Sequence, residues 1–174
     1  MMPIWIPGAA AAAVAAVLAA TIGVSAQRPG APPAATRTKE AAVTRRASGA
    51  FDVKITPQAM TAEGSGLGRM SLDKQVRGDL AATSKGEMLT ASTPVKGSAV
   101  YVAVEQVTGT LHGRSGSFVL HHTGIMSRGT PQLTITVVPD SGTGELEGLT
   151  GTMTITIADG KHTYDFDYML APGR

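Results

Sequence analysis

The chain has 174 residues, 43% hydrophobic and 16% charged, with a net charge of +2 and no cysteine. This composition suits one globular domain with an appendage rather than a disordered chain. Without cysteine there are no disulfides, no thiolate zinc ligands, no thiol nucleophile and no lipidated cysteine anchor. Arg28, Arg37, Lys39, Arg45 and Arg46 all fall between Gln27 and Arg46, against the single acid Glu40, so the rest of the chain is slightly acidic. Nucleic-acid binding needs a basic face on the domain itself, with stacking aromatics for single strands. With its basic excess in a tail and 4% aromatic residues, this chain is expected to have no nucleic-acid partner.

In chain order, Ile4 to Val24 is apolar and Ala-rich, and Val24-Ser25-Ala26 is the kind of small-residue site that a signal peptidase cuts. Residues 1–26 therefore read as a signal peptide, and the mature protein as secreted, periplasmic or held in the cell envelope. No Lys or Arg precedes the apolar run, which is just long enough to span a bilayer. An uncleaved N-terminal membrane anchor is the competing reading and the only expected link to a membrane. Residues 27–46, rich in Pro, Ala and basic side chains and without apolar period, read as a disordered linker. It serves either as a solvated spacer or as an electrostatic contact to an anionic surface.

The barrel domain is placed at residues 47–174, where the pattern changes to period two between Gly, Pro, Asp and Ser punctuation. Eight strands are predicted: Ser48–Thr56, Arg69–Arg77, Leu80–Thr90, Ser98–Leu111, Ser117–Met126, Gln132–Val138, Thr150–Ala158 and Lys161–Leu170. Asp159-Gly160, between two alternating segments, predicts a two-residue hairpin whose central residues both need φ > 0. Leu133, Ile135 and Val137 alternate with Gln132, Thr134 and Thr136, as a half-buried strand does. Eight short antiparallel strands predict an all-β sandwich or, more economically for its edges, a closed eight-stranded antiparallel β-barrel.

Four segments, ASGAFDVK (Ala47–Lys54), GDLAATSKGEML (Gly78–Leu89), VEQVTGTLHGRSGSFVLHHTG (Val104–Gly124) and VVPDSGTGELEGLTG (Val137–Gly151), resemble a bacterial family catalogued as domain of unknown function 3224. GTGELEGLTG is also similar to a strand-initiating turn of allene oxide cyclases and plant dirigent proteins. The resemblance spans essentially Ala47–Leu170 and implies an allene oxide cyclase-like barrel. It brings no established activity, although barrels of that kind bind hydrophobic small molecules and steer cyclisation or coupling without a cofactor. Related barrels associate, so the resemblance also brings a homo-oligomer as the expected assembly, with no residue marking its surface.

The chemistry-bearing residues concentrate between Tyr101 and Gly124. A two-residue turn at Arg114-Ser115 would pair Leu111 with Phe118, Val107 with His122 and Glu105 with Gly124. Tyr101, Ala103, Glu105, Val107, Leu111, Phe118, Leu120 and His122 would then share one face, apolar except for one acid and one base on adjacent strands. A one-residue slip would exchange His122 for His121. Glu105 and His122 are the candidate catalytic pair, able to move a proton on a ligand in an apolar barrel; a polar pair that fixes register is the alternative. Tyr101, Phe118, Leu120 and Phe166 are the candidate ligand-binding residues. On the last strand Tyr164, Phe166 and Tyr168 share a face opposite Asp165 and Asp167, as a core or as a cavity wall.

His121 and His122 are adjacent and point to opposite faces of a strand, so they form no common metal site, and no metal-ligand spacing occurs elsewhere. Ser141–Gly144 is not followed by a helix or by Gly-Lys-Ser/Thr, so it reads as a loop rather than a phosphate cradle. Ser115, in Gly-Arg-Ser-Gly, lacks the strand–turn–helix setting of a nucleophile elbow. No metal or cofactor is expected. The function read from the sequence is binding of a small apolar ligand inside the barrel, with a cofactor-free isomerase or cyclase as its enzymatic form. The alternative is a filled barrel acting as a structural or protein-interaction module.

Overall fold

The computed structural model describes residues 43–60 and 66–171; the segments read from the sequence as a signal peptide and, up to residue 42, a linker lie outside the described residues. Eight strands follow one another: β1 Arg45–Gln58, β2 Leu67–Gly78, β3 Leu80–Ser92, β4 Ala99–Leu111, β5 Arg114–Ser127, β6 Thr130–Val137, β7 Leu149–Ala158 and β8 Lys161–Leu170. Each pairs antiparallel with its neighbour in sequence, and β8 returns to β1, which closes the barrel. Closure removes the exposed edges that an open sheet of these strands would carry. The first strand begins at Arg45, so Arg45 and Arg46 belong to the sheet rather than to the linker, and Arg46 pairs with Asp167 of β8 at 2.7 Å. One seam is thin: β6 and β7 meet at the single pair Thr136↔Thr152, while the other strands run as continuous ladders.

The β4–β5 hairpin differs from the turn expected at Arg114-Ser115. The turn residues are His112 and Gly113, with φ of +47° and +79°, and Leu111 pairs with Arg114. A tight turn twisted like its strands needs positive φ at both central residues, which a Gly supplies and Arg-Ser does not. His112 is held there by a 2.8 Å hydrogen bond between its Nδ1 and the Tyr168 hydroxyl. The register moves accordingly: Glu105 faces Leu120 instead of Gly124, Val107 faces Phe118, and His122 faces Ala103. The displacement is four residues, an even number, so every side chain keeps its face. The Asp159-Gly160 turn forms as expected, with φ of +50° and +73°.

The barrel is filled at one end only. There Phe118, Phe166 and Tyr168 stack in series, with ring centroids 5.9 and 5.5 Å apart, against Leu80, Leu111 and Leu149, all buried. The Tyr164 hydroxyl, also inside, accepts from the Leu80 amide at 3.0 Å. The β6–β7 connection folds under this end. Its short 3₁₀ turn, Gly144–Leu146, drives Leu146 into the core, and the Thr143 amide donates to the Ser117 carbonyl at 2.8 Å. The stretch read as a hairpin loop is thus the plug of the closed end.

Candidate functional site

Above the aromatic floor the barrel is hollow. A cavity of about 470 Å³ opens toward the end that carries the β3–β4, β5–β6 and β7–β8 connections. That volume falls within the range of small-molecule sites. Its walls are apolar: Val53, Leu72, Met88, Ala103 and Ile155 inside, with Ile55 and Ile157 exposed at the rim. The second pocket is a void of about 20 Å³ lying deeper, bounded by Ser84, Glu105, Leu120 and Tyr164, room for about one water.

Between cavity and floor stands a polar cluster drawn from four consecutive strands. Glu105 of β4 is 1% exposed. Its Oε1 accepts from Lys74 Nζ of β2 at 2.6 Å and lies 3.0 Å from His122 Nε2 of β5; its Oε2 accepts from the Ser84 hydroxyl of β3. Alternation brings all four inward, because Lys74 and Ser84 are cross-strand partners and Glu105 and His122 occupy diagonal positions. Opposite Glu105 sits Gly86, where a Cβ would fall 2.7 Å from the Glu105 Cγ; the missing side chain lets the carboxylate reach across β3. The Lys74 ammonium also stands 5.0 Å from the centre of the Phe51 ring, a favourable cation–π placement.

Burial pushes the Glu105 carboxyl up, but the His122 contact and the Lys74 charge outweigh it and hold the group at about 2. Glu105 is therefore an anion whose counter-charge is built in. Neighbouring Tyr101, half-buried on the cavity wall, has its phenol pushed up by burial and then by the Glu105 charge. His122 is 3% exposed, and its Nε2, although close to Oε1, is not aligned with it as a hydrogen bond. It is the one fully buried side-chain nitrogen or oxygen among the described residues without a hydrogen-bond partner. An unsatisfied buried donor or acceptor is costly, and this one belongs to a ring on the cavity wall.

The residues singled out from the sequence divide as follows. Glu105 and His122 come together, and Tyr101 lines the cavity. Phe118 and Phe166 do not line it. They stack on each other in the closed end, because the inner face of each strand runs from floor to mouth and these two lie on the floor side. Leu120 borders the small void rather than the cavity. Tyr164 and Tyr168 are likewise core. His121 points outward and bonds Thr136 at 2.8 Å, and among the described residues no cluster of three metal-ligating side chains occurs. Lys74 and Ser84 were missed by the sequence reading. The signal was present in β2, where Leu72, Lys74 and Val76 alternate against Asp73 and Gln75, a lysine on the apolar face of a strand.

Residues 47–168 match the model of a family described as a protein of unknown function, DUF3224. A crystal structure of a protein of unknown function from that family, from Shewanella oneidensis MR-1, is 54% identical. The match covers 75% of this chain and 100% of that one, with a TM-score of 0.72. No curated protein matches. The chain belongs to the DUF3224 family.

Proposed function

We propose that this barrel binds a small apolar molecule, whose body lies in the cavity and whose single polar group meets His122 beside the Lys74–Glu105 ion pair. The observation that carries this reading is the joint occurrence of an apolar cavity of about 470 Å³ and a buried polar cluster at its inner end. A register-fixing ion pair needs no cavity above it, and a purely greasy pocket needs no buried charges. Glu105 and Lys74 neutralise each other, so a neutral oxygen function suits the site better than a free charge, whose desolvation nothing would offset.

The place of the His122 ring, on the cavity wall and against Glu105, favours a catalytic form of the same reading. Glu105, held as an anion at about 2, is a weak base, so His122 is the group that takes a proton from a ligand carbon and returns it elsewhere. Glu105 orients the imidazole. Such a cycle is a cofactor-free isomerisation or cyclisation, in keeping with the allene oxide cyclase-like resemblance. Export to the envelope or beyond remains our reading of residues 1–26, and a secreted chain whose intact mass starts at Gln27 is its expected signature.

The test is titration with an environment-sensitive apolar dye. Wild type should enhance its emission, and Ala103→Trp, which puts an indole into the cavity beside His122, should abolish the enhancement while leaving the far-UV circular dichroism intact. A wild-type protein that ignores the dye, or a filled variant that binds it equally well, defeats the proposal.

A further inference from the structure

The outer wall of the barrel has two unlike halves. On β8, β1, β2 and β3 the outward positions carry charges of both signs, tied in pairs such as Arg46–Asp167, Arg77–Asp52 and Arg69–Glu87. On β4, β5, β6 and β7 no outward position carries Asp, Glu, Lys or Arg. These four strands are contiguous in the barrel. The uncharged half is not covered by the rest of the described chain at its upper part: Val102 is 47%, Val104 56% and Ile125 46% exposed. Register sets Val102 between Leu89 of β3, itself exposed, and Thr123 of β5, and puts Val100 beside Ile125. An apolar patch thus sits within a field of Thr, Ser and Gln, with His121 across from Val104.

We propose that this β4–β7 wall is the contact surface for a second copy of the chain, centred on Val102. Charge depletion around an apolar centre with an uncharged polar rim is the composition of protein interfaces, not of free surface. Lipid is a poor occupant for a face so rich in hydroxyls, and a charged partner would call for countercharges that the wall lacks. A two-fold axis lays a surface on itself, so any charge near the axis meets its own like; a wall free of Asp, Glu, Lys and Arg meets itself without that penalty. Its size agrees: with strands about 4.8 Å apart and about 3.3 Å per residue, the four strands present roughly 700 Å², against about 800 Å² per partner in a standard interface. The proposal does not rest on what the cavity binds, although Val100 and Ile125 also border the cavity.

Sedimentation velocity of the full chain at concentrations on the order of 10–100 µM tests it. Wild type should sediment as a dimer. Val102→Lys and Val104→Lys, both at exposed positions, should sediment as monomers with unchanged far-UV circular dichroism, because each places like charges at the two-fold contact. Ala50→Lys, on the charged half, should remain a dimer. A monomeric wild type overturns the proposal. So does a dimer that survives both lysine substitutions, as one held by the N-terminal segment would, or one that Ala50→Lys dissociates equally.

Discussion

Replacing Lys74 by Met probes the cluster that links the barrel to its cavity. Lys74 and Glu105 side chains are 11% and 1% exposed, and their charged atoms are 2.6 Å apart. Met keeps most of the volume and removes the ammonium, so Glu105 is left as a buried anion with only Ser84 and His122 beside it. Removing one partner of a buried pair costs about 3–5 kcal/mol, several times the ~0–1 kcal/mol of an exposed pair, and urea unfolding at pH 7 followed by far-UV circular dichroism should show it. The pH dependence has a definite sign. The Glu105 carboxyl is lowered from 4.5 to about 2 on folding; the stabilisation is therefore complete above pH 4.5 and is lost as the pH falls toward 2. Its size is about 3 kcal/mol. In Lys74→Met the folded value rises, so the gap between variant and wild type should narrow through that window. Lys74→Met/Glu105→Gln, which buries no charge, should be more stable than Lys74→Met alone. A loss under about 1 kcal/mol at pH 7, or a double variant no better than the single, would refute the view of Glu105 as a buried anion dependent on Lys74.

Glu105→Gln alone should flatten the stability profile between pH 4.5 and 2, the interval of the Glu105 shift, as read by urea midpoints across that range. Phe166→Ala, at a fully buried floor position stacked on Phe118, should cost about 3–5 kcal/mol while sparing the rim; retained stability would mean that the floor is not the main core. Gly160→Ala places a Cβ at φ +73° and should cost about 1–2 kcal/mol with no change in dye binding, because the turn only joins β7 to β8.

Period two and the punctuation between segments were enough to give eight antiparallel strands and the faces of β4 and β5. The Glu105–His122 pairing was legible for a specific reason: parity, not exact register, decides which side chains enter the barrel. The turn was misplaced by two residues on each strand, yet the pair survived, because a four-residue displacement of partners is even. Lys74 was legible in principle as a lysine on an inward face of β2, but its role depends on a carboxylate 31 positions away, and no local pattern carries that.

The sequence by itself determined the class of the fold, the inward set on the central hairpin and the family. Tertiary structure decided which inward residues are core and which are wall. Phe118, Phe166 and Tyr101 all obey the same alternation, and they differ only in height along the barrel axis, which is set by the stagger of strands at closure. Filling at one end and hollowness at the other follow from where the aromatic rings and Leu146 meet at that height. Local periodicity fixes the direction of a side chain; only closure of the barrel fixes what it meets.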